Sequence, residues 1–538
     1  MALPLVLPMG WKNSPPIFTT ATETVADLTN QRLQSLQPAP PHHLDRLAKS
    51  IPSPVPDYQL PLPAQQHQQP THQLSTPALA PPPSRDPSIP LVEQPVAYVD
   101  VFVDDFLGLA QGKTNRQRVR RTLLHAIDEV FRPLDKDDFP SRQEPVSIKK
   151  LRKGDTSWGT IKLALGWVIN TTTATIHLPT HRLERLADIL NSIPRDQKRI
   201  SLKKWHRVLG ELRSMSIALP GSRHLFSHLQ HALTHRTGTR ISLKKGVHQA
   251  LIDFRWLLND IASRPTRIAE LVPMLSSAEG HHDASGMGAG GVWFPSPNLQ
   301  PRQGFQRQPL LWRLKWPQDI IDSIVTEDNP NGTITNSDLE LAGGLLHLDA
   351  ISQAFDVRER TLLSKTDNLA TLFWQRKGSS TTDQAPAYLL RLFGIHQRYH
   401  RYVPRHDYLP GPSNPMADDS SRLFHLTPHQ FLSHFNTAYP QKASFRLWTP
   451  TQQMSSAVIS ALRRKPSRPE SLLVEPAAPS PIGPSGRSSS LSWPSIPYSK
   501  PSKTKYQCYK SSATEFAPAA LQPMAIPSGL DRLKITYG

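Results

Sequence analysis

A chain of 538 residues that is 38% hydrophobic and carries 54 prolines can form two or three domains, but cannot be packed core throughout. Its formal charge of +19 at pH 7 points to a polyanionic partner, nucleic acid before membrane, and no apolar run is long enough to span a bilayer. The single cysteine, Cys508, excludes an intramolecular disulfide framework and any cysteine-based zinc module, and suits a reducing intracellular setting, cytoplasmic or nuclear.

Residues 1–9 are apolar, but prolines interrupt them and no basic segment precedes them, so they do not read as a signal peptide. Within 1–34, Ser14-Pro15-Pro16 opens a predicted helix with Ile17, Ala21, Val25 and Leu28 at helical spacing. Residues 35–95 hold proline at roughly a quarter of positions and read as a disordered or polyproline-type insertion. Order is expected again over 96–179. There 96–110 reads as a strand-turn-strand hairpin around Asp104-Asp105, 115–131 as a basic amphipathic helix, and 162–179 as one or two strands. Segment 180–277 carries helical stripes (Leu183, Leu186, Leu190, then Leu209, Leu212, Met215), with basic clusters such as Lys149-Lys150, Lys203-Lys204 and Lys244-Lys245 in and before it. Segment 278–425 alternates strand-like and helix-like stretches and includes a Gly-rich strand over 288–294. From 426 to 538 the chain reads as a mostly disordered tail rich in Ser and Pro.

Four separated acids lie in settings that suit metal-ligating carboxylates: Asp283, Glu340, Asp367 and Asp418. Two-metal hydrolysis of a phosphodiester needs several carboxylates converging on cations about 3.5–4 Å apart, each held at the end of a rigid element. Every candidate also has a structural reading. Asp283, in His-His-Asp-Ala-Ser-Gly, can be a turn residue, and Glu340 can close a capping box begun by Ser337. Asp367 can be a helix N-cap, and Asp418 and Asp419 can be surface charges at a helix start.

The strings around these residues resemble the ribonuclease H domain of retroelements. Thr335 to Leu341 fits the Thr-Asn-x-x-x-Glu-Leu run of its second carboxylate, with Ala342 next, and Thr366-Asp367 fits its third carboxylate. Gly411, Asn414, Ala417, Asp418, Ser421 and Arg422 fit the pattern of the fourth. The resemblance implies Asp283, Glu340, Asp367 and Asp418 as catalytic metal ligands, Mg2+ or alternatively Mn2+ as cofactor, and cleavage of RNA in an RNA/DNA hybrid. The family's active-site histidine has no match by spacing; His406 lies nearby and receives no role.

Upstream, Tyr98 to Phe106 resembles the Asp-Asp hairpin of a reverse transcriptase palm, which implies Asp104 and Asp105 as metal ligands. Residues 7–18 resemble the family's Gly/Ser-Pro segment, with Gly10, Ser14 and Pro15 near substrate, and Leu165-Gly166-Trp167 resembles the primer grip. In the family a first palm aspartate precedes the Gly/Ser-Pro segment. Here nothing precedes it, so polymerase activity is expected to be lost and the palm sheet to expose an edge.

The overall expectation is an α/β (α+β) mosaic: partial palm, helical thumb over 180–277, and a ribonuclease H-like mixed-sheet domain over 278–425. The relatives implied are long-terminal-repeat or tyrosine-recombinase retrotransposons. Expected partners are RNA/DNA hybrid and single- or double-stranded nucleic acid held through phosphates, with no membrane and no structural zinc. His396 and His400 have zinc-compatible spacing but read as part of a solvated basic helix. The competing reading is a catalytically silent nucleic-acid-binding relic.

Overall fold

The computed structural model describes residues 14–466 except 36, 46, 48–95, 133–136, 138–142, 153–156 and 237. The chain divides into two compact units, residues 1–476 and 477–538, and the second lies outside the described residues. So do Gly10, most of the proline-rich insertion and the tail beyond 466.

In the N-terminal region, α1 (Ser14–Gln34) packs on a two-stranded antiparallel sheet, β1 (Ala97–Phe102) with β2 (Asp105–Ala110), and on α2 (Gly112–Phe131). A short α3 (Ile148–Arg152) follows. The helix expected over 115–131 starts earlier, at Gly112. Asn30 of α1 locks onto β1 through both amide atoms, donating to the Val99 carbonyl at 2.7 Å and accepting from the Val99 N–H at 2.9 Å. Tyr98, Phe102 and Leu109 of this sheet are exposed.

The strands expected over 162–179 are three: β3 (Ile161–Ala164), β4 (Trp167–Asn170) and β5 (Thr175–His177). The reversal between the first two is tight because Leu165 and Gly166 both take positive φ, 51° and 78°. Four helices then form the region read as helical from its leucine stripes: α4 (Thr180–Asn191), α5 (Leu202–Ser216), α6 (Phe226–Thr234) and α7 (Lys245–Ser263). A small ladder pairs β6 (Arg199–Ser201) with β7 (Arg240–Ser242), and β8 (Thr266–Arg267) joins β5. Leu186, Leu190, Trp205, Leu209, Leu212 and Met215 meet in one core, as the apolar spacing requires.

The remaining body is a six-stranded mixed sheet in the order Val403–Tyr408, Thr361–Thr366, Ser276–Ala284, Gly288–Pro295, Leu310–Lys315, Arg446–Trp448. Its centre is an antiparallel meander of β9 (Ser276–Ala284), β10 (Gly288–Pro295) and, after the short β11 (Gln300–Pro301), β12 (Leu310–Lys315). Next in the chain come α8 (Gln318–Ile321), the long α9 (Asn336–Ala354) and β13 (Phe355–Asp356), which pairs with β11. Then β14 (Thr361–Thr366) runs parallel to β9, followed by α10 (Leu369–Lys377), α11 (Ala385–His400) and β15 (Val403–Tyr408), parallel to β14. Last come α12 (Pro415–Arg422), α13 (Pro428–Ala438), β16 (Arg446–Trp448) and α14 (Gln452–Leu462). The expected mixed α/β class holds.

Helix α9 is buried on all sides: every residue from Asp338 to Ala354 except Gln353 is in the interior, between the sheet and helices α11 and α14. Its rotation against the sheet is fixed by His347. Trp312 Nε1 donates to His347 Nδ1 at 3.0 Å, and the Trp293 ring stacks on the imidazole at 4.1 Å. Gly280 permits this approach, since a Cβ there would lie 2.4 Å from Trp293.

The boundary at residue 425 is a correction to the sequence reading. Regular structure continues to Leu462, with Phe431 and Phe435 packing on Val292 and Leu311, and Val458 and Leu462 in the main core. These helices are short, and their apolar residues are diluted by Ser, Thr and Gln, so no sustained period marks them. Thr427 and Gln430 do form a capping box that is legible in the sequence. Buried ion pairs join the sheet body to the helical region: Arg391 with Asp253, and Arg398 with Asp260 at 2.5 Å and Glu270 at 3.5 Å.

Candidate metal centre

Strand alternation sends neighbouring side chains to opposite faces. On β9 this turns His282 toward α9, where Gly344 abuts its ring, and Asp283 toward α12, where Ser421 meets it. Opposite Asp283 in the ladder is Gly290, whose missing side chain leaves room for Ser420 of α12; a Cβ would lie 2.5 Å from the Ser420 carbonyl oxygen. Asp283 therefore sits in a strand, not in the turn that its Ala-Ser-Gly context allowed.

Glu340 opens the second turn of α9, and the cap before it differs from the expected one. Thr335 is the N-cap and Asp338 its reciprocal partner: Thr335 Oγ1 accepts from the Asp338 N–H at 3.3 Å, and Asp338 Oδ2 accepts from the Thr335 N–H at 2.8 Å. Glu340 is thus released from capping. It is 1% exposed, takes the Ala284 backbone N–H, and its Oε2 makes no hydrogen bond among the described residues. Asp367 immediately follows β14. The N-cap of α10 is Asn368, which accepts from the Thr371 N–H at 3.0 Å, so Asp367 is free of that role as well.

Asp283, Glu340 and Asp367 converge, with one carboxylate oxygen from each lying within 4.8 Å of the others. Asp418 does not join them. It occupies the first turn of α12, half exposed, and pairs with Arg422 one turn on. Asp419 accepts from His434 at 3.0 Å and from the Tyr439 hydroxyl at 2.9 Å, a packing role on α13. The loop and helix that carry Asp418 are nonetheless clamped to the site. Asn414 donates to the His282 carbonyl at 3.3 Å, Ser421 donates to Asp283 Oδ2, and Ser285 donates to the Ser421 carbonyl at 2.6 Å. Gly411 leaves Asp367 room: a Cβ there would lie 3.0 Å from Asp367 Oδ2, and the carboxylate would have to give by a few tenths of an ångström.

The electrostatics follow from this crowding. Burial, then the charge of Asp283, raises the Glu340 carboxyl well above its ordinary range, and Asp367 is raised by the same two causes in the same order. His282, whose Nδ1 is 3.9 Å from Glu340 Oε2, is held by burial down to about 3 and is neutral. His406 on β15, also lowered by burial to about 3, is another neutral neighbour. Buried, mutually repelling carboxylates with an unpaired oxygen suit a hard divalent cation that takes oxygen ligands. Where the helical region meets the body runs a cleft of about 680 Å³ whose lining includes Arg223, Arg376, Lys377, Arg405 and His406, with Glu270 and Asp407 among them and none of the three carboxylates. The spacing of Asp283, Glu340 and Asp367 was readable. The supporting Ser421, Asn414 and Ser285 bonds were not, although the first two stand at fixed places of the recognised pattern.

The upstream candidates fare differently. Asp104 and Asp105 lie at the tip of the β1–β2 hairpin, beside Val103 at φ 58°, and both are exposed. Asp105 faces Lys150 at 3.6 Å, and no third acid gathers on the pair among the described residues. Ser14 and Pro15 begin α1. Gly166 shapes the β3–β4 turn and its carbonyl accepts from Arg182 at 3.0 Å. Trp167 is 4% exposed in the helical core, so packing and not substrate contact explains it. His396 and His400 are buried between helices, which corrects the expected solvated face. Among the described residues no helix is long and apolar enough to cross a membrane.

Neither a family model nor a curated protein sequence matches the chain. Among solved structures it is similar to the foamy viral protease-reverse transcriptase in complex with dsDNA, at 12% identity and TM-score 0.29, covering 83% of this chain and 60% of that one. A complex of the foamy viral protease-reverse transcriptase with RNA/DNA hybrid gives 14% identity and TM-score 0.26, covering 59% and 36%. The dRH form of the viral protein with ds DNA gives 13% and 0.25, covering 57% and 46%. The chain thus spans between about a third and three fifths of the length of these structures.

Proposed function

We propose that this chain is a retroelement-derived reverse transcriptase/ribonuclease H fragment whose working centre is a divalent-cation nuclease acting on RNA in RNA/DNA hybrids. The reading divides it into palm segments (14–34 and 96–179), a thumb (180–275) and a ribonuclease H body (276–462). The observation that carries it is the convergence of Asp283, Glu340 and Asp367 from three separate elements to within 4.8 Å.

These three residues would hold Mg2+ or Mn2+, and the cation supplies an acidified water and neutralises charge at the scissile phosphate. The chain's own contributions are distinct. Ser421 orients Asp283, and the Thr335–Asp338 cap keeps Glu340 turned inward. Arg223, Arg376, Lys377 and Arg405 line a cleft that suits a phosphate backbone, giving salt-sensitive, sequence-independent binding. Polymerase activity is not part of the proposal, because Asp104 and Asp105 are solvent-facing with no third acid beside them among the described residues.

A second reading, a silent nucleic-acid-binding relic, draws on one observation: Asp418 is engaged by Arg422 instead of the cluster. The deciding experiment is cleavage of a labelled RNA/DNA hybrid by the full chain with Mg2+. Cleavage that disappears in Asp283→Asn, Glu340→Gln and Asp367→Asn supports the nuclease. Salt-sensitive hybrid binding with no cleavage by the intact chain overturns it in favour of the relic.

A further inference from the structure

A second convergence of ligand-type side chains lies inside the body, away from the carboxylate cluster. His396 and His400 stand one turn apart on α11 and face Asp349 on α9; their exposures are 0%, 6% and 0%. One donor atom from each lies within 4.8 Å of the others. Asp349 is nine residues beyond Glu340 on the same helix, about 13 Å along its axis at 1.5 Å per residue, so the two groups are separate.

We infer that Asp349, His396 and His400 form a structural site for one zinc-class transition-metal ion that staples α9 to α11. His396 is already oriented as a ligand: its Nδ1 meets the Tyr402 hydroxyl at 2.9 Å and its Nε2 faces Asp349 Oδ1 at 3.2 Å. A ring nitrogen engaged by an outer partner fixes the tautomer that leaves the other nitrogen for a metal. A metal-free Asp-His-Tyr chain would account for those contacts, but not for the rest of the group. His400 Nε2 and Asp349 Oδ2 are buried with no hydrogen-bond partner among the described residues, a costly arrangement that a shared cation relieves. Burial holds His400 well below its ordinary pKa, hence neutral, the form a metal requires.

Two imidazoles and one carboxylate select borderline ions such as zinc over magnesium, which prefers all-oxygen ligands. Tetrahedral zinc, at roughly 2.0–2.2 Å from N and O donors, asks those donors to stand about 3.3 Å apart, a small contraction of the present group. Gln353, whose Nε2 lies 3.1 Å from Asp349 Oδ1, stands at the partly exposed rim. The fourth position there falls to water.

The test strips the full chain with a chelator and titrates Zn2+ in the presence of excess Mg2+, reading stoichiometry by elemental analysis and stability by thermal melting. One equivalent is expected, with a raised Tm, in both the parent chain and Asp283→Asn. His400→Gln keeps the Asp349–His396–Tyr402 chain and should bind at least tenfold more weakly, with no rise in Tm. Substituting Co2+ in the parent chain should give the visible d–d bands of a tetrahedral N/O site, a readout that needs no variant. Zinc uptake unchanged in His400→Gln, uptake lost in Asp283→Asn, or absence of both zinc uptake and cobalt bands in the parent chain would each overturn the assignment.

Discussion

Ser421 donates its hydroxyl hydrogen to Asp283 Oδ2 across a separation of 138 residues, and this bond ties the last helix of the carboxylate site to its central strand. Ser421 is itself buried and held from behind by Ser285, so Asp283 has a fixed orientation before any cation arrives. A hydrogen bond to a charged acceptor is worth about 1.5–3 kcal/mol, and misplacing a ligand is felt mainly in the reaction step. Ser421→Ala is therefore expected to lower kcat for hybrid cleavage by about tenfold or more with KM little changed, while Ser421→Thr retains most of the rate. An equal loss in the Thr variant would show that packing, and not the hydroxyl, matters at this position.

Glu340 is a residue that the folded chain tolerates at a cost. Its carboxyl is buried against Asp283 and Asp367, which is why its proton is held so far up in pH. Replacing it with Gln keeps an oxygen for the Ala284 N–H and removes the cost of binding a proton, or of burying a third charge, at this place on folding. With divalent cations chelated, Glu340→Gln should stabilise the body by about 1 kcal/mol, or roughly 2–4 °C in Tm, while abolishing cleavage. Added Mg2+ should narrow or reverse the difference, because only the parent site gains cation binding. A variant less stable than the parent in chelator would mean that the carboxylate is satisfied in a way the geometry does not reveal.

These two residues also mark what was legible in the sequence. Glu340 could be picked out from its string, but the string equally fitted a cap, and only the fold separates the two by assigning the cap to Thr335 and Asp338. Asp418 was legible by the same kind of pattern, yet a pattern does not tell where a side chain points when an arginine waits one turn away. His396 and His400 read as solvated because Arg398, Tyr399 and Arg401 surround them. In the fold Arg398 is itself buried, paired with Asp260 and Glu270, and such long-range partners leave no local mark. The helices after 425 were missed because their apolar faces are completed by residues more than a hundred positions earlier, such as Val292 and Leu311.

The junction between the helical region and the sheet body carries a built-in acid sensitivity. His224 stacks near Phe393 at 6.3 Å, and His228 meets Tyr388 edge-on at 4.5 Å. Burial lowers both from 6.5 to about 4; for His228 the nearby Arg391 adds to the effect. A folded-state pKa below the unfolded one means that the unfolded chain binds the proton more tightly. The stability these histidines confer is complete above pH 6.5 and is lost as pH falls from 6.5 toward 4. Urea midpoints measured across that window should fall more steeply for the parent chain than for His228→Phe, which removes one of the two titrations. Parallel slopes in the two chains would exclude His228 as a source of the loss.

Arg422 and Asp418 set the last expectation. Their side chains are 49% and 46% exposed, and an ion pair that open to solvent contributes only about 0–1 kcal/mol, so a divalent cation can compete for the carboxylate at little cost. Arg422 also lies near enough to lower Asp367 electrostatically, which means its positive charge works against a cation at the same place. Both effects have one sign: removing the guanidinium should favour metal binding by releasing Asp418 and by strengthening the negative field at Asp367. Arg422→Gln is therefore expected to lower the Mg2+ concentration for half-maximal cleavage several-fold, whereas Asp418→Asn should raise it and cost about tenfold in rate, less than Asp283→Asn. The measurement is a Mg2+ titration of hybrid cleavage for the three variants beside the parent chain. If Asp418→Asn leaves both the rate and the Mg2+ dependence untouched, the fourth acid takes no part, and the centre works with the three carboxylates that already converge.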